Sequence, residues 1–335
     1  MSKQAIPSFS FPTTVLMIDD NVEFLKSIAI GLPADAATYN FYSDPKKALQ
    51  LINEKYPSDR LASGLVNLMD EEEFEHRTLD INVRDIYRIM YNRARFQQIS
   101  TVVVDYNMPG LDGIEFCRAI KNQHIQKILL TSIVDENKAI EVLNAGLIHT
   151  FIRKQSPNVM QLLGQALAQA QERYFLHLSQ IIQQVVTVSE ESALDDPAFI
   201  ELFRRIAKNF GAVEYYQTEF LGSFVFVDAD GNHYGLFTRI KDQIDFYCES
   251  KEAESAPPEV ISSLRGGQRI LCHHNENNVA LPDGRVWEQY LFDAISIKGR
   301  NEYLCAYGPQ MCDIRHGNLL SFNEYSSPLG MRLNE

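Results

Sequence analysis

Residues 102–104 (VVV) form a short β-branched run that stops abruptly at Asp105. An uninterrupted apolar run of this length reads as a strand buried on both faces, as in a parallel sheet. The pattern recurs along the first half of the chain. Residues 14–18 (TVLMI) end in Asp19-Asp20-Asn21, and residues 127–130 (KILL) end in Thr131-Ser132. Residues 37–42 (ATYNFY) and 147–152 (LIHTFI) read as two more strands, the last closed by Arg153-Lys154. Helical spacing fills the gaps: Phe24, Leu25, Ile28 and Leu32 after Asn21, then Leu51 and Ile52 after Asp44-Pro45. Ile114, Phe116, Cys117 and Ile120 follow Asp112-Gly113, and residues 136–143 run to a Gly146 stop. Strands alternating with helices predict a doubly wound α/β unit with a parallel five-stranded sheet.

The spacing has one large interruption. Asp20 and Asp105 are separated by far more chain than a minimal unit of this kind needs, so residues of about 55–98 read as an insertion. Its middle is acidic, Asp70-Glu71-Glu72-Glu73. A helix is expected after it, with Val83, Ile86, Ile89, Met90 and Phe96 on an apolar face. Arg84, Arg88, Arg93 and Arg95 would make the basic face. Packing on the flank of the first unit is the simplest expectation; a partner-docking element is the other.

From Pro157 to about Val186 a long helix is predicted. Leu163, Leu167, Ala170, Tyr174, Leu178, Ile181 and Val185 follow a near-heptad spacing that suits either self-association or packing within the chain. A polar, acidic hinge follows, then a helix opened by Asp196-Pro197 and stopped at Gly211. Residues 223–227 and 233–240 flank Asp228-Ala229-Asp230-Gly231-Asn232, a strong hairpin signal. A helix over 257–264 and strands near 270–272, 286–297 and 302–307 complete an α+β pattern. The expected division is 14–155, a linking helix over 156–188, and an α+β domain over 189–335.

Net charge over the 335 residues is −13. Residues 189–335 hold 13 Lys and Arg against 23 Asp and Glu, so the second domain carries most of it. That balance argues against DNA binding, which needs clustered positive charge. The five cysteines are scattered without a C-x-x-C, which suits a reducing compartment. The first residues have no signal-peptide core, and no apolar run is long enough to span a membrane, so a cytoplasmic location is expected.

Asp105 ends a central strand, and open α/β sheets bind ligands at that edge. The segment Asp105-x-x-Met108-Pro109-x-x-Asp112-Gly113, with Asp19-Asp20 at another strand end, resembles the receiver domain of bacterial two-component response regulators. Asp19-Asp20 alone would fit a solvated acidic loop; the ordered set is what carries the likeness. The resemblance implies a flavodoxin-like fold and phosphorylation of Asp105 by a sensor histidine kinase or phosphotransfer protein. It implies one Mg²⁺ held by Asp19, Asp20, Asp105 and the backbone carbonyl of Asn107. Thr131 and Lys154 match the family's phosphoryl-binding hydroxyl and lysine, and Phe151 its aromatic switch. Gln155 departs from the proline that usually follows the lysine.

The likeness covers residues 14–155 and weakens beyond 188. Regulators of quorum-sensing circuits with an atypical output domain are one candidate group. Three constellations in 189–335 could bear chemistry. Gly222-Ser223 with Asp228 and Asp230 is similar to a nucleotidyltransferase pattern, though the gap is short. Cys272, His273, His274, Cys305, Cys312 and His316 could gather at zinc, or be core thiols and surface imidazoles. The aromatics Tyr215, Tyr216, Phe224, Phe226, Phe237, Phe246, Tyr247, Trp287, Tyr290 and Phe292 could line a ligand pocket or form the sheet core. The expected function is a phosphorylation-dependent regulator whose output acts by protein or small-ligand binding, with an unknown partner and a homodimer through 157–186 in view. The alternative is a receiver-gated enzyme with a nucleotidyltransferase-like second domain.

Overall fold

The structure, a computed structural model, describes residues 5–33, 37–57, 66–70, 77–81, 83–131, 136–186, 192–250, 256–272, 289–309, 319–327 and 332–334. They divide into two compact units that are not consecutive in sequence. One contains Ser10–Val66, Asn92–Ser179 and Phe322–Glu335; the other contains Met1–Phe9, Asn67–Tyr91 and Gln180–Ser321.

The first unit is built on strands β2 (Thr13–Ile18), β3 (Ala37–Tyr42), β6 (Ile99–Asp105), β7 (Gln126–Thr131) and β8 (Thr150–Arg153). All pair in parallel, in the order β3-β2-β6-β7-β8. Alternate residues of each strand supply opposite faces. Leu16, Ile18, Val102, Val104 and Leu129 pack on helices α2 (Pro45–Lys55), α4 (Gly113–Ala119) and α5 (Glu136–Asn144). Val15, Met17, Val103, Ile128 and Leu130 pack on α1 (Val22–Ala29) and the start of α6 (Val159–Val186). The doubly wound receiver fold is therefore present. The fifth strand begins at Thr150 rather than 147, because Leu147 and Ile148 are held by the carbonyl of Val142 at the end of α5.

A sixth strand was not foreseen. Segment β16 (Arg332–Asn334) pairs in parallel with residues 40–42 of β3, covering that half of the strand's outer edge. A covered edge offers no ladder to a foreign strand. Helix α10 (Phe322–Ser326) precedes it and seats Phe322 and Tyr325 against Phe96, with ring centroids 5.3 and 5.2 Å apart.

The insertion requires correction. Residues 67–91 belong by contact to the second unit, not to a flank of the receiver. They open with a two-stranded pair, β4 (Val66–Asp70) and β5 (Arg77–Ile81). Helix α3 (Val83–Ile86) and a 3₁₀ turn over Tyr87–Tyr91 then pack against β9 (Ala212–Glu219), burying Val83, Ile86 and Met90. Arg95 is not on an exposed basic face. It is fully buried in the first unit, with its guanidinium 3.9 Å from the Phe96 ring centroid.

The near-heptad stripe of α6 is used within the chain. Leu163, Leu167 and Ala170 join the core under β2 and β7, and Tyr174 and Leu178 are buried as well. Among the described residues, a dimer through this stripe would have to strip these side chains from their own core. The side chains of Ile181 and Val185 lie outside the described residues.

The second unit is α+β. Its sheet has the order β1-β9-β10-β11-β15-β14, with β1 (Phe9–Ser10), β10 (Ser223–Asp228), β11 (His233–Arg239), β14 (Ile295–Lys298) and β15 (Glu302–Pro309). The pairings β9-β10, β10-β11, β11-β15 and β15-β14 are antiparallel. Helix α7 (Pro197–Asn209) lies on it, with Phe203 edge-on to Tyr215 and Phe224 and 5.0 Å from Phe226. Of the aromatic residues singled out above, Tyr215, Tyr216, Phe224, Phe226 and Phe237 lie in the sheet, whereas Tyr247, in the helix over Lys241–Cys248, lines a cavity; Phe246 is 78% exposed, and Trp287 lies outside the described residues. Helices α8 (Lys241–Cys248) and α9 (Pro258–Arg265) and the pair β12 (Arg269–Leu271) with β13 (Leu291–Asp293) complete the unit.

Candidate functional site

Parallel register brings the acids together. Ile18 pairs with Val104 and Asp105 pairs with Leu130, so Asp19, Asp105 and Thr131 all emerge at the carboxyl edge of adjacent strands. Thr131 pairs with Arg153, and the Lys154 amide donates to the Thr131 carbonyl at 2.7 Å, which fixes Lys154 at the same edge. Asp19 is held in turn: its amide donates to the Tyr42 carbonyl at 3.1 Å, and its Oδ1 accepts from the Asn21 amide at 3.0 Å. Asn21 caps α1 by accepting from the Phe24 amide.

Asp19, Asp20 and Asp105 each place a carboxylate oxygen within 4.8 Å of the others. The Lys154 ammonium lies 2.5 Å from Asp19 Oδ2 and 2.9 Å from Asp105 Oδ1. Those two oxygens are buried and accept no hydrogen bond of ordinary geometry, so they face the ammonium as ions. Burial raises the Asp19 carboxyl above its ordinary value, and Lys154 works against that shift.

The arrangement fits a hard divalent cation. Three carboxylates and one ammonium leave about two negative charges, and the three acids each offer a carboxylate oxygen within 4.8 Å of the others. Asp20, which is exposed, offers an open side to water.

The other expected residues fall nearby in sequence but play less defined parts. Asn107 is exposed in the turn after β6, and Phe151 is partly buried against the core beneath the site. Lys154 and Gln155 form a turn closed by the Ser156 amide on the Arg153 carbonyl at 3.1 Å, so this loop is ordered without a proline at 155.

Two residues have parts in the site that the sequence reading did not give them. The Phe24 ring lies 4.5 Å from the Lys154 ammonium, a cation–π contact that helps hold the lysine. Its position in the first turn after Asn21 was the available signal, and it was taken only as part of an apolar face. Gly113 is the second. A Cβ there would sit 2.3 Å from the Asp105 carbonyl oxygen and 3.0 Å from Leu129 Cδ1, so the turn after β6 closes against its own strand only with glycine.

The family described as response regulator receiver domain matches residues 58–166, which contain Asp105, Thr131 and Lys154. Among solved structures, the Legionella pneumophila response regulator LqsR is 30% identical over 98% of this chain and 98% of its own, with a TM-score of 0.80. The chain belongs to the bacterial two-component response regulators. A response regulator receiver domain from Clostridium thermocellum is 22% identical, covering 49% of this chain and 98% of its own, with a TM-score of 0.32. No curated protein matches the chain.

The second unit of this response regulator holds the other candidate sites. Asp228 accepts four hydrogen bonds: from the amides of Asp230 and Asn232 at Oδ1, and from Asn232 Nδ2 and the Tyr234 hydroxyl at Oδ2. A carboxylate has about four acceptor positions, so the hairpin turn uses all of them. That geometry does not favour a catalytic metal at Asp228 and Asp230. Cys272 and Cys305 are buried thiols, and burial pushes the Cys305 thiol up to about 12, which disfavours the thiolate that zinc needs. His273, His274, Cys312 and His316 lie outside the described residues. Among the described residues no helix is long and apolar enough to cross a membrane.

Proposed function

We propose that this response regulator is switched by phosphorylation of Asp105. The observation that supports this is the convergence of Asp19, Asp20 and Asp105, with the Lys154 ammonium paired to Asp19 and Asp105. The donor is the phosphohistidine of a sensor kinase or phosphotransfer protein. Asp105 Oδ attacks phosphorus, the P–N bond breaks, and the departing imidazole takes up a proton. Asp19, Asp20 and Asp105, with the Asn107 carbonyl in the turn after β6, would hold Mg²⁺, which when bound would supply charge neutralisation for the oxygens of the transferring group. Lys154 is already paired with Asp105 and moves its ion pair onto the phosphoryl group. Thr131, at the neighbouring strand end, donates its hydroxyl to a phosphoryl oxygen.

Phosphorylation replaces the single negative charge of the Asp105 carboxylate with a phosphoryl group of about −1.5 to −2 charges at one buried position. That charge draws Thr131 in and turns Phe151 inward, and α5 and β8 shift as the face that carries the signal to a binding partner. The acidic second unit acts through protein or small-molecule binding, not through DNA.

Radiolabelled acetyl phosphate with Mg²⁺ tests the reading. The expected result is label that is stable to denaturation, lost in base, and absent from Asp105→Asn. Label retained by Asp105→Asn, or label indifferent to chelation of Mg²⁺, counts against it.

A further inference from the structure

The second unit holds a cavity of about 420 Å³ lined by parts of several elements. Leu221 from the β9-β10 turn, Ile244 of α8, Leu264 of α9 and Leu271 of β12 supply apolar walls, and Phe220, 47% exposed, stands at its edge. Its volume falls in the range of roughly 300–1,000 Å³ typical of small-molecule sites.

The polar part of the lining is specific in its charge. Arg239 is the cation of the lining, and it is engaged two-pronged by Glu219: Nη1 pairs with Oε2, and Nη2 donates to Oε1 at 3.1 Å. Ser223 fixes the pair further, donating its hydroxyl to Glu219 Oε2 at 2.6 Å, while the Thr238 carbonyl accepts from Nη1 at 2.9 Å. The guanidinium charge is thus cancelled where it stands. Among the described residues its Nε and one Nη2 hydrogen meet no acceptor, so the group can still donate to a neutral oxygen. Gln243 of α8, exposed and lining the same cavity, offers an amide.

A phosphate or carboxylate entering here would meet Glu219 beside the arginine and would have to displace it, leaving one of two anions uncompensated. A neutral, mostly apolar molecule meets no such cost. It buries its hydrocarbon on the leucine and isoleucine walls, at roughly 25 cal/mol per Å². It also gives one oxygen to the arginine or to Gln243.

We propose that this cavity is a binding site for an uncharged small molecule, apolar over most of its surface and carrying one hydroxyl or carbonyl group. The site lies wholly within the second unit and needs no phosphorylation, so it stands or falls apart from the receiver reading.

The test uses the full unphosphorylated chain and Nile red, a neutral carbonyl-bearing fluorophore. Saturable one-to-one binding with a blue shift is expected. Decanol should displace the dye at a concentration at least tenfold below that needed for decanoate, and ATP should not displace it. Gln243→Trp, at an exposed helix position, should weaken dye binding at least tenfold while the circular dichroism spectrum is unchanged. Should that variant fail to fold, hydrogen exchange on wild type decides. Decanol should protect peptides spanning 219–223 and 241–248. Absence of saturable binding, displacement by decanoate or ATP as readily as by decanol, a folded Gln243→Trp that binds normally, or protection confined to other peptides would each overturn the proposal.

Discussion

Lys154→Met removes a positive charge lying 2.5 Å from Asp19 Oδ2 and 2.9 Å from Asp105 Oδ1. The lysine side chain is 13% exposed, and those of the two aspartates 3% and 6%. This is the buried regime, where removing one partner costs about 3–5 kcal/mol because the remaining charge is left uncompensated. It is not the surface regime, where a pair is worth about 0–1 kcal/mol. At about 2–4 °C per kcal/mol, the receiver transition should fall by roughly 6–20 °C in EDTA. The same change leaves three carboxylates facing one another, so a divalent cation should bind the variant more tightly than wild type. Mg²⁺ at about a hundred times its Kd restores about 2.7 kcal/mol. The assay is thermal unfolding by circular dichroism, for wild type and variant, in EDTA and in saturating Mg²⁺. A loss below about 1 kcal/mol in EDTA, or equal Mg²⁺ increments for the two proteins, would refute the reasoning.

Four further outcomes are expected. Gly113→Ala should destabilise the receiver by about 1–3 kcal/mol in urea and slow phosphorylation, because its Cβ collides with the Asp105 carbonyl. His149 is pushed down to about 4, first by burial and then by Arg173, Lys127 and His177, while its Nδ1 accepts from the Lys127 amide at 3.0 Å. A depressed histidine stays neutral when folded and takes a proton when unfolded, so stability is lost as pH falls from about 6.5 toward 4. Urea titrations should show that loss, discounted for a half-exposed site to about 1–2 kcal/mol, and His149→Asn should flatten it. Asp196→Ala should cost the second unit about 1–2 kcal/mol by chemical denaturation, since the buried carboxylate caps α7 through the Ala198 amide and also accepts from the Arg300 amide. Deleting residues 332–335 should raise hydrogen exchange at alternate amides of β3 and increase aggregation, because the edge covered by β16 is exposed.

What was legible in the chain was local. The runs 14–18 and 102–104 are apolar on both faces because both faces are covered, and that is visible without knowing the partners. Asp44, Asp112 and Asp196 announced helix starts by the same chemistry that makes them caps. The acids and Lys154 were legible because strand ends are fixed by such runs. What failed was non-local. Nothing in Arg332-Leu333-Asn334 says that it pairs with a strand nearly three hundred residues earlier. Nothing near Val83 and Met90 says which unit will bury them. Arg95 reads as a surface cation until Phe96 is placed beneath its guanidinium. The cavity of the second unit is assembled from five separate stretches, none with a pattern of its own.

The account rests most heavily on which atom takes the phosphoryl group. Borohydride reduces an aspartyl phosphate to homoserine, which peptide mass mapping locates to a single residue. After acetyl phosphate and Mg²⁺, homoserine at position 105, lost when Mg²⁺ is chelated, is the predicted result. Homoserine at position 19, 20 or 112 instead, or none at any position, would contradict it.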